Sequence, residues 1–340
     1  MRLTLVGYGV VGEAFTQTII ARKEWLAKNY GLYPSIVAVV DRGGAAVDPR
    51  GLNLERLKQV KAARKTVAAD PLSGRLGLAA LEVIKSVEAE VLVEATPTNV
   101  RDGEPGFSHI RSALRMGRHV ITTNKGPLAL ALPALNELAR FNKAYLRFSG
   151  TVGGGTPILD FAKKCLLGDR ILSIRGILNG TTNYILSKMT EAGVPFSEAL
   201  AEAQHAGYAE ADPSMDVDGW DAACKLVIMA NHILNRRVTL KDVRVQGIRD
   251  VTQTWLREAA GRGCAVKLIG FIDDDGVRVL PTEVSKLSPL CVSGSLNAVT
   301  FVSEYAGEET IVGRGAGGME TASAMLRDLI DVKQALMERG

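Results

Sequence analysis

An α/β fold in two domains is what this sequence predicts, on three observations. Through the first 148 residues, short apolar runs alternate with helical patterns, the signature of a parallel sheet flanked by helices. After about residue 243 one strand pattern follows another, AVKLIGFID, VRVLPTEV and NAVTFVSEY, as in the antiparallel sheet of an α+β domain. At 340 residues the chain also exceeds the size at which a single hydrophobic core keeps growing. The expected division gives residues 1–148 to a first domain, with 306–340 packing back on it, and 149–305 to a second.

Composition narrows the function classes. A hydrophobic share of 46% with 23% charged residues is that of a soluble globular protein. The net charge of +4 comes without a Lys/Arg block, and aromatics are only 5%, which argues against a nucleic-acid partner. Cys165, Cys224, Cys264 and Cys291 form no CxxC pair and the four histidines are scattered, so neither a disulfide framework nor a zinc constellation is expected. The sequence enters a strand pattern at once and has no long apolar run. No membrane partner and a cytoplasmic location are therefore expected.

The first strand, Arg2 to Val6, runs into Gly7-Tyr8-Gly9-Val10-Val11-Gly12 and then a helix. In such a GxGxxG turn the first glycine permits the tight turn, the second lets backbone approach a pyrophosphate, and the third lets helix pack on strand. The free N–H groups and positive end of the helix then face the phosphates. This predicts a Rossmann-type dinucleotide-binding domain. The second strand, Ile36 to Val40, ends in Asp41-Arg42. An acid there accepts the ribose hydroxyls of NAD, whereas an arginine holds the 2′-phosphate of NADP; both residues are present, so NAD and NADP stay open. The stretch from Gly43 to Arg75 reads as a solvated basic helix.

Strand Val91 to Glu94 leads into Ala95-Thr96-Pro97, and strand His119 to Thr122 into Thr123-Asn124-Lys125-Gly126-Pro127. Thr96 and Lys125 thus fall at the carboxyl ends of strands, where open parallel sheets bind ligands. A helix is expected from Ala131 to Phe141, then the polar glycine loop Ser149 to Pro157 and a helix from Ile158 to Leu167. Strand Ile171 to Leu178 ends in Asn179-Gly180-Thr181-Thr182-Asn183, a segment suited to helix capping and anion contact, with its helix from Tyr184.

Between Ala203 and Lys225 lie Glu210, Asp212, Asp216, Asp218, Asp221 and a single lysine, just before the apolar run LVIM. That much charge beside an apolar face marks the wall of a polar site. Asp212 reads as a turn residue and Asp218 as the cap of a helix running to about Leu234, on which Asp221 and Lys225 share a face. A lysine in apolar surroundings is suited to proton exchange. Near the end, Gly313-Arg314-Gly315-Ala316-Gly317-Gly318 follows a strand and opens a helix, as a loop returning to the nucleotide would.

The span Ala203 to Lys225, with Gly207-Tyr208, Asp212-Pro213, Asp216, Gly219, Asp221 and Lys225, resembles the signature of homoserine dehydrogenases. GYGVVG, TTNKGPLA, TVGGG, NGTTNYIL and GRGAGG follow in the family's order, so the resemblance covers essentially the whole chain, in a short form without an aspartate kinase or a C-terminal regulatory domain. It implies a Rossmann-type domain joined to an α+β catalytic and dimerisation domain. It implies NAD(P)-dependent interconversion of L-homoserine and L-aspartate 4-semialdehyde, in the biosynthesis of threonine, methionine and isoleucine, by a homodimer. The catalytic lysine falls on Lys225, its neighbouring acid on Asp221 and the second lysine on Lys125. Substrate contacts fall on Glu210, Asp216, Tyr208, Gly180 and Thr181, and nucleotide contacts on the Gly7–Gly12 loop, Thr96, Lys125 and Gly315. A sodium ion in many members sits on carbonyls that correspond to Val152, Gly154 and Thr156, with a preceding Glu whose place Ser149 takes here. The alternative reading of the same residues is a related dehydrogenase of another small amino acid or aldehyde.

Overall fold

The structure is a computed structural model that describes residues 1–338. It divides into two compact units, Met1–Thr151 with Gly317–Gly340, and Val152–Ala316. The boundaries therefore fall at 151/152 and 316/317 rather than at 148/149 and 305/306. The later boundary has a plain cause: the strand expected before the glycine loop spans Gly307–Arg314 and is hydrogen-bonded along its length to Leu296–Ser303, which keeps it in the second sheet.

The first unit holds β1 (Arg2–Val6), β2 (Ser35–Asp41), β3 (Gly44–Val47), β4 (Gly74–Leu76), β5 (Val91–Glu94), β6 (His119–Thr122) and β7 (Leu146–Arg147). They form one sheet in the order β4-β3-β2-β1-β5-β6-β7. The five strands from β2 to β7 through β1 run parallel, while β3 and β4 add an antiparallel edge. Buried on both faces, β1, β2 and β5 are near-continuous runs of Leu, Val and Ile, as parallel strands require. Strand order reverses between β1 and β5, and the crevice at that switch point is the ligand position of such sheets.

The helices of this unit are α1 (Val10–Tyr30), α2 (Leu54–Arg64), α3 (Ala80–Ser86), α4 (Gly106–Arg115), α5 (Lys125–Phe141) and the C-terminal helix Gly318–Met337. The C-terminal helix places Ala322, Met325, Leu326 and Leu329 in one core with Phe15, Ile19 and Leu26 of α1. α5 begins six residues before the expected Ala131, at Lys125. Pro127 is tolerated there because the first helical turn has no use for its missing N–H. The helix instead kinks at Ala131 (φ −148°), two residues before Pro133.

The second unit contains α6 (Ile158–Asp160), β8 (Ile171–Ile177), α7 (Gly180–Ala192), α8 (Phe196–His205), α9 (Ser214–Val217), α10 (Trp220–His232), β9 (Val243–Val245), α11 (Gln253–Gly261), β10 (Cys264–Asp273), β11 (Gly276–Ser285), β12 (Leu296–Ser303) and β13 (Gly307–Arg314). Its sheet runs β13-β12-β8-β10-β11-β9, antiparallel except for β11 and β9. α10 is buried from Asp221 to Asn231 and packs with α7 and α11 against this sheet. No described helix is long and apolar enough to cross a membrane.

Candidate active site

At the switch point of the first unit the three glycines of the opening loop each have a measurable reason. A Cβ on Gly7, whose φ is +100°, would lie 2.4 Å from the carbonyl oxygen of Ala95 at the end of β5. One on Gly12 would lie 2.1 Å from the carbonyl oxygen of Gly7, so the third glycine is what lets α1 sit on β1. Gly9 faces open space, and its backbone is the part left free for close approach by a ligand. Val10 and Val11 begin α1, and Tyr8 turns inward: its ring is buried and its hydroxyl lies 3.3 Å from Thr16 Oγ1. Burial pushes the Tyr8 phenol pKa up. Tyr8 can therefore offer a ligand only its backbone.

Thr96 and Lys125 stand at the neighbouring strand ends. The fully buried Glu94 accepts from the backbone N of Thr96 (3.1 Å), from its hydroxyl, and from Thr122 Oγ1 (3.0 Å). Asn124 caps α5 by accepting from Gly126 N and donates to Thr96 Oγ1 (3.1 Å). One buried carboxylate thus fixes both turns, and Lys125 opens α5 from the position they set.

Asp41 is placed differently from the expectation that it faces a ribose. Its side chain is 5% exposed, and both oxygens are engaged from within the unit. Oδ2 accepts from Lys61 Nζ (2.6 Å) and Val67 N (2.9 Å), and Oδ1 from Thr66 Oγ1 (2.7 Å) and Gly43 N (2.9 Å). Burial raises its pKa, but these four donors outweigh that and hold the carboxyl below its usual range. Arg42, next in the turn, is exposed.

In the second unit the signature residues converge. The helix carrying Lys225 starts at Trp220, behind Gly219 in a left-handed conformation (φ +86°), so Asp218 is not its cap. Asp218 instead pairs with Arg249, 2.5 Å away. Asp212 is the turn residue expected, accepting from Ser214 Oγ at 2.6 Å. Lys225 Nζ reaches Asp221 Oδ2 at 2.7 Å and donates to the carbonyl of Leu178 at 2.5 Å, with the lysine 5% exposed. Two of its three protons are thereby committed.

Asn179, in the segment read as suited to helix capping and anion contact, joins this cluster. Its Nδ2 donates to Asp216 Oδ1 (2.6 Å) and Asp221 Oδ2 (2.9 Å), while its Oδ1 accepts from Thr182 N (2.9 Å). Desolvation first, and then the charge of Asp221, push the Asp216 carboxyl up. α7 begins at Gly180, earlier than expected; Gly180 has no room for a Cβ, which would meet Ser295 O at 2.6 Å. Thr181 Oγ1 donates to the carbonyl of Tyr208 (2.7 Å), whose ring tilts against Tyr184 with centroids 4.7 Å apart. Glu210 lies exposed on the turn after α8, outside this hydrogen-bonded group.

The glycine loop packs on the segment that follows β13. A Cβ on Gly154 would lie 3.0 Å from the carbonyl carbon of Gly315, and Thr156 Oγ1 donates to Arg314 O (3.3 Å). Gly315 lies against Asn297, whose Nδ2 a Cβ there would approach to 1.9 Å. Of the expected cation ligands, Thr156 O already accepts from Ile158 N (2.8 Å). Ser149, in the first unit, donates through Oγ (2.5 Å) and N (2.9 Å) to Asp328. Among the described residues no cluster of three or more His, Cys, Asp or Glu side chains is arranged to hold a metal.

Comparison with known proteins agrees with this geometry. The homoserine dehydrogenase family model matches residues 157–330. A homoserine dehydrogenase of Methanocaldococcus jannaschii is 45% identical over 98% of both chains. An NAD(+)-dependent homoserine dehydrogenase of Pseudomonas canavaninivorans is 40% identical over 98% of this chain and 96% of its own. The crystal structure of a putative homoserine dehydrogenase from Archaeoglobus fulgidus superposes with a TM-score of 0.90 at 38% identity, covering 98% of this chain and 99% of that one. A hyperthermophilic archaeal homoserine dehydrogenase in complex with NADPH superposes at 0.86 with 28% identity, covering 98% of each. A nucleotide-binding sheet, a buried lysine–carboxylate site and full-length similarity lead to one conclusion: the chain belongs to the homoserine dehydrogenase family.

Proposed function

We propose that this oxidoreductase interconverts L-homoserine and L-aspartate 4-semialdehyde, with Lys225 as the proton donor and acceptor. The observation that carries the reading is the buried Lys225, held by Asp221 Oδ2 and the Leu178 carbonyl with one N–H left for a substrate oxygen. When bound, the nicotinamide supplies hydride acceptor and donor at its C4. In the reducing direction Lys225 gives its proton to the aldehyde oxygen as negative charge develops there; in the oxidising direction it takes the proton of the 4-hydroxyl. Asp221 orients the ammonium and compensates its charge. The family resemblance gives Lys125 a share in polarising the same oxygen. The carboxylate of the amino acid suits the first N–H groups of α7, at Gly180 and Thr181, and its ammonium suits Asp216 and Glu210. Tyr208 contributes through its carbonyl bond to Thr181.

For the cofactor, Asp41 is spent on the fold, whereas the exposed Arg42 is free to meet a 2′-phosphate. NAD and NADP both belong to this reading, and turnover measured with each separately decides between them. A monovalent cation on the carbonyls of Val152, Gly154 and Thr156 would have to do without a carboxylate at position 149, and the proton chemistry runs without it. The sheet of the second unit exposes Leu172, Leu296 and Val312, which supports a homodimer contact there; light scattering of the purified protein tests it. None of the four cysteines is in a disulfide, which supports a cytoplasmic location.

The test of the central assignment is Lys225→Ala. It is expected to lower kcat by a factor of about 10²–10⁴ while nucleotide still binds. Near-normal turnover overturns it. Equal turnover of aspartate or another small amino acid in place of homoserine would favour the related-dehydrogenase alternative.

A further inference from the structure

Two neighbouring carboxylates, Asp216 and Asp221, meet at one amide. Asn179 has a single –NH2, and it spends both protons there, at 2.6 Å and 2.9 Å. Its orientation is dictated rather than assumed: Oδ1 must face the backbone N–H of Thr182, which needs an acceptor in the first turn of α7, so Nδ2 must face the acids. Asp221 also receives Lys225, and its charge is compensated. Among the described residues no cation lies at hydrogen-bonding distance of Asp216. The charged groups that act on it are Asp221 and Lys225, both on α10; its neutral partners are Asn179, the cap of α7, and Thr181 in the first turn, whose hydroxyl supports it less than the Asn179 amide. Adjacent carboxylates in a desolvated place tend to share a proton, and a protonated Asp216 can neither attract an ammonium nor leave Asp221 undisturbed.

We propose that Asn179 is a positioning residue that keeps Asp216 ionised beside Asp221, so that one carboxylate serves the substrate ammonium and the other the catalytic lysine. This rests on the assignment of Asp216 to the substrate amino group. Asn179 acts on the reaction through the two acids and touches no reacting atom. Its donors divide the pair electrically: without them the acids would hold a proton between them, and substrate binding would weaken as pH falls.

The test uses Asn179→Ser and Asn179→Asp in the full chain. Both keep a capping oxygen for Thr182, so α7 retains its start; both lose the amide donors. For Asn179→Ser, kcat/KM for homoserine is expected to fall about tenfold or more, mostly through KM, as for loss of a hydrogen bond to a charged group. The acidic limb of the kcat/KM profile is expected to move to higher pH. Asn179→Asp, which sets a third carboxylate beside the other two, is expected to move that limb further in the same direction. The Kd for NADH or NADPH and the melting temperature of Asn179→Ser are expected to stay near wild type. Unchanged acidic limbs in both variants overturn the proposal, as does an equal loss in nucleotide affinity, which would mark a merely structural role. Asp216→Asn separates the two levels. If it leaves KM for homoserine intact, the assignment of Asp216 to substrate has failed. If it raises KM while the Asn179 variants keep the wild-type profile, the role given to Asn179 has failed.

Discussion

Asp41→Asn discriminates between an acid that reads the cofactor and an acid that builds the fold. The isosteric amide replaces one carboxylate oxygen by an –NH2 that cannot accept. Whichever oxygen is lost, two of the four donors on Asp41 face another donor: either Lys61 Nζ and Val67 N, or Thr66 Oγ1 and Gly43 N. Lys61 is 25% exposed on its side chain and can turn toward water, so its share is small; Val67 is fully buried, and its N–H is stranded. One stranded backbone donor plus a weakened charge-assisted bond amounts to roughly 2–4 kcal/mol. For a domain of this size that is a drop of roughly 5–15 °C in melting temperature. The pH dependence has a definite sign. Because the folded state holds the Asp41 carboxyl below its ordinary value, its stabilisation is complete above the unfolded carboxylate range. It is lost as pH falls through the lowered folded value, and Asp41→Asn lacks that acid-side loss. Differential scanning fluorimetry between pH 3 and 8, with NADH titration at neutral pH, reads both quantities. Unchanged melting together with a tenfold weaker NADH would refute the reasoning and return Asp41 to the ribose.

Arg42→Ala is expected to weaken NADPH about tenfold and leave NADH unchanged in fluorescence titration, as for loss of one charge-assisted contact; equal effects on both would sink a 2′-phosphate role. Lys267 is buried in β10 and donates to Asn183 Oδ1 and Ser187 Oγ, both at 2.9 Å, and burial pushes its pKa down. Its folded state sheds the proton before the unfolded state does, so wild type should gain stability over Lys267→Met as pH rises through that lowered value toward the unfolded one. Parallel pH slopes for the two proteins in urea unfolding would exclude it.

What the residues disclosed by themselves follows from range. The GxGxxG turn, the strand ends at Thr96 and Lys125 and the Asp221–Lys225 pair are local: sequence neighbours, or one helical turn, decide them. The side-chain partners of Asp41 were not legible, because Lys61 and Thr66 come from the segment between two antiparallel edge strands, GAAV and GRL, that are too short to announce themselves. The bonds of Asn179 to the two acids were not legible beside its capping role, since those partners come from α9 and α10 after two intervening turns of chain. Gly219 displaced Asp218 as the start of α10 because a left-handed residue there redirects the chain, which polarity alone does not reveal. Glu210 carried the charge expected of a substrate ligand, but nothing in its spacing says whether the turn faces the cluster or the solvent.

The discontinuity of the first unit has a consequence for how the protein is made. Its sheet strands leave the ribosome early, yet the helix that covers Phe15, Ile19 and Leu26 is encoded after the whole of the second unit. The contiguous second unit can finish first, although it is translated later, while the apolar surface of α1 waits in the open for the last segment. A nascent chain stalled or clipped before Gly318 would hold a complete catalytic half and an unfinished nucleotide half, the kind of intermediate that chaperones bind. Synthesis order, and not only final stability, thus makes the docking of Gly318–Met337 a late step in the assembly of the first unit.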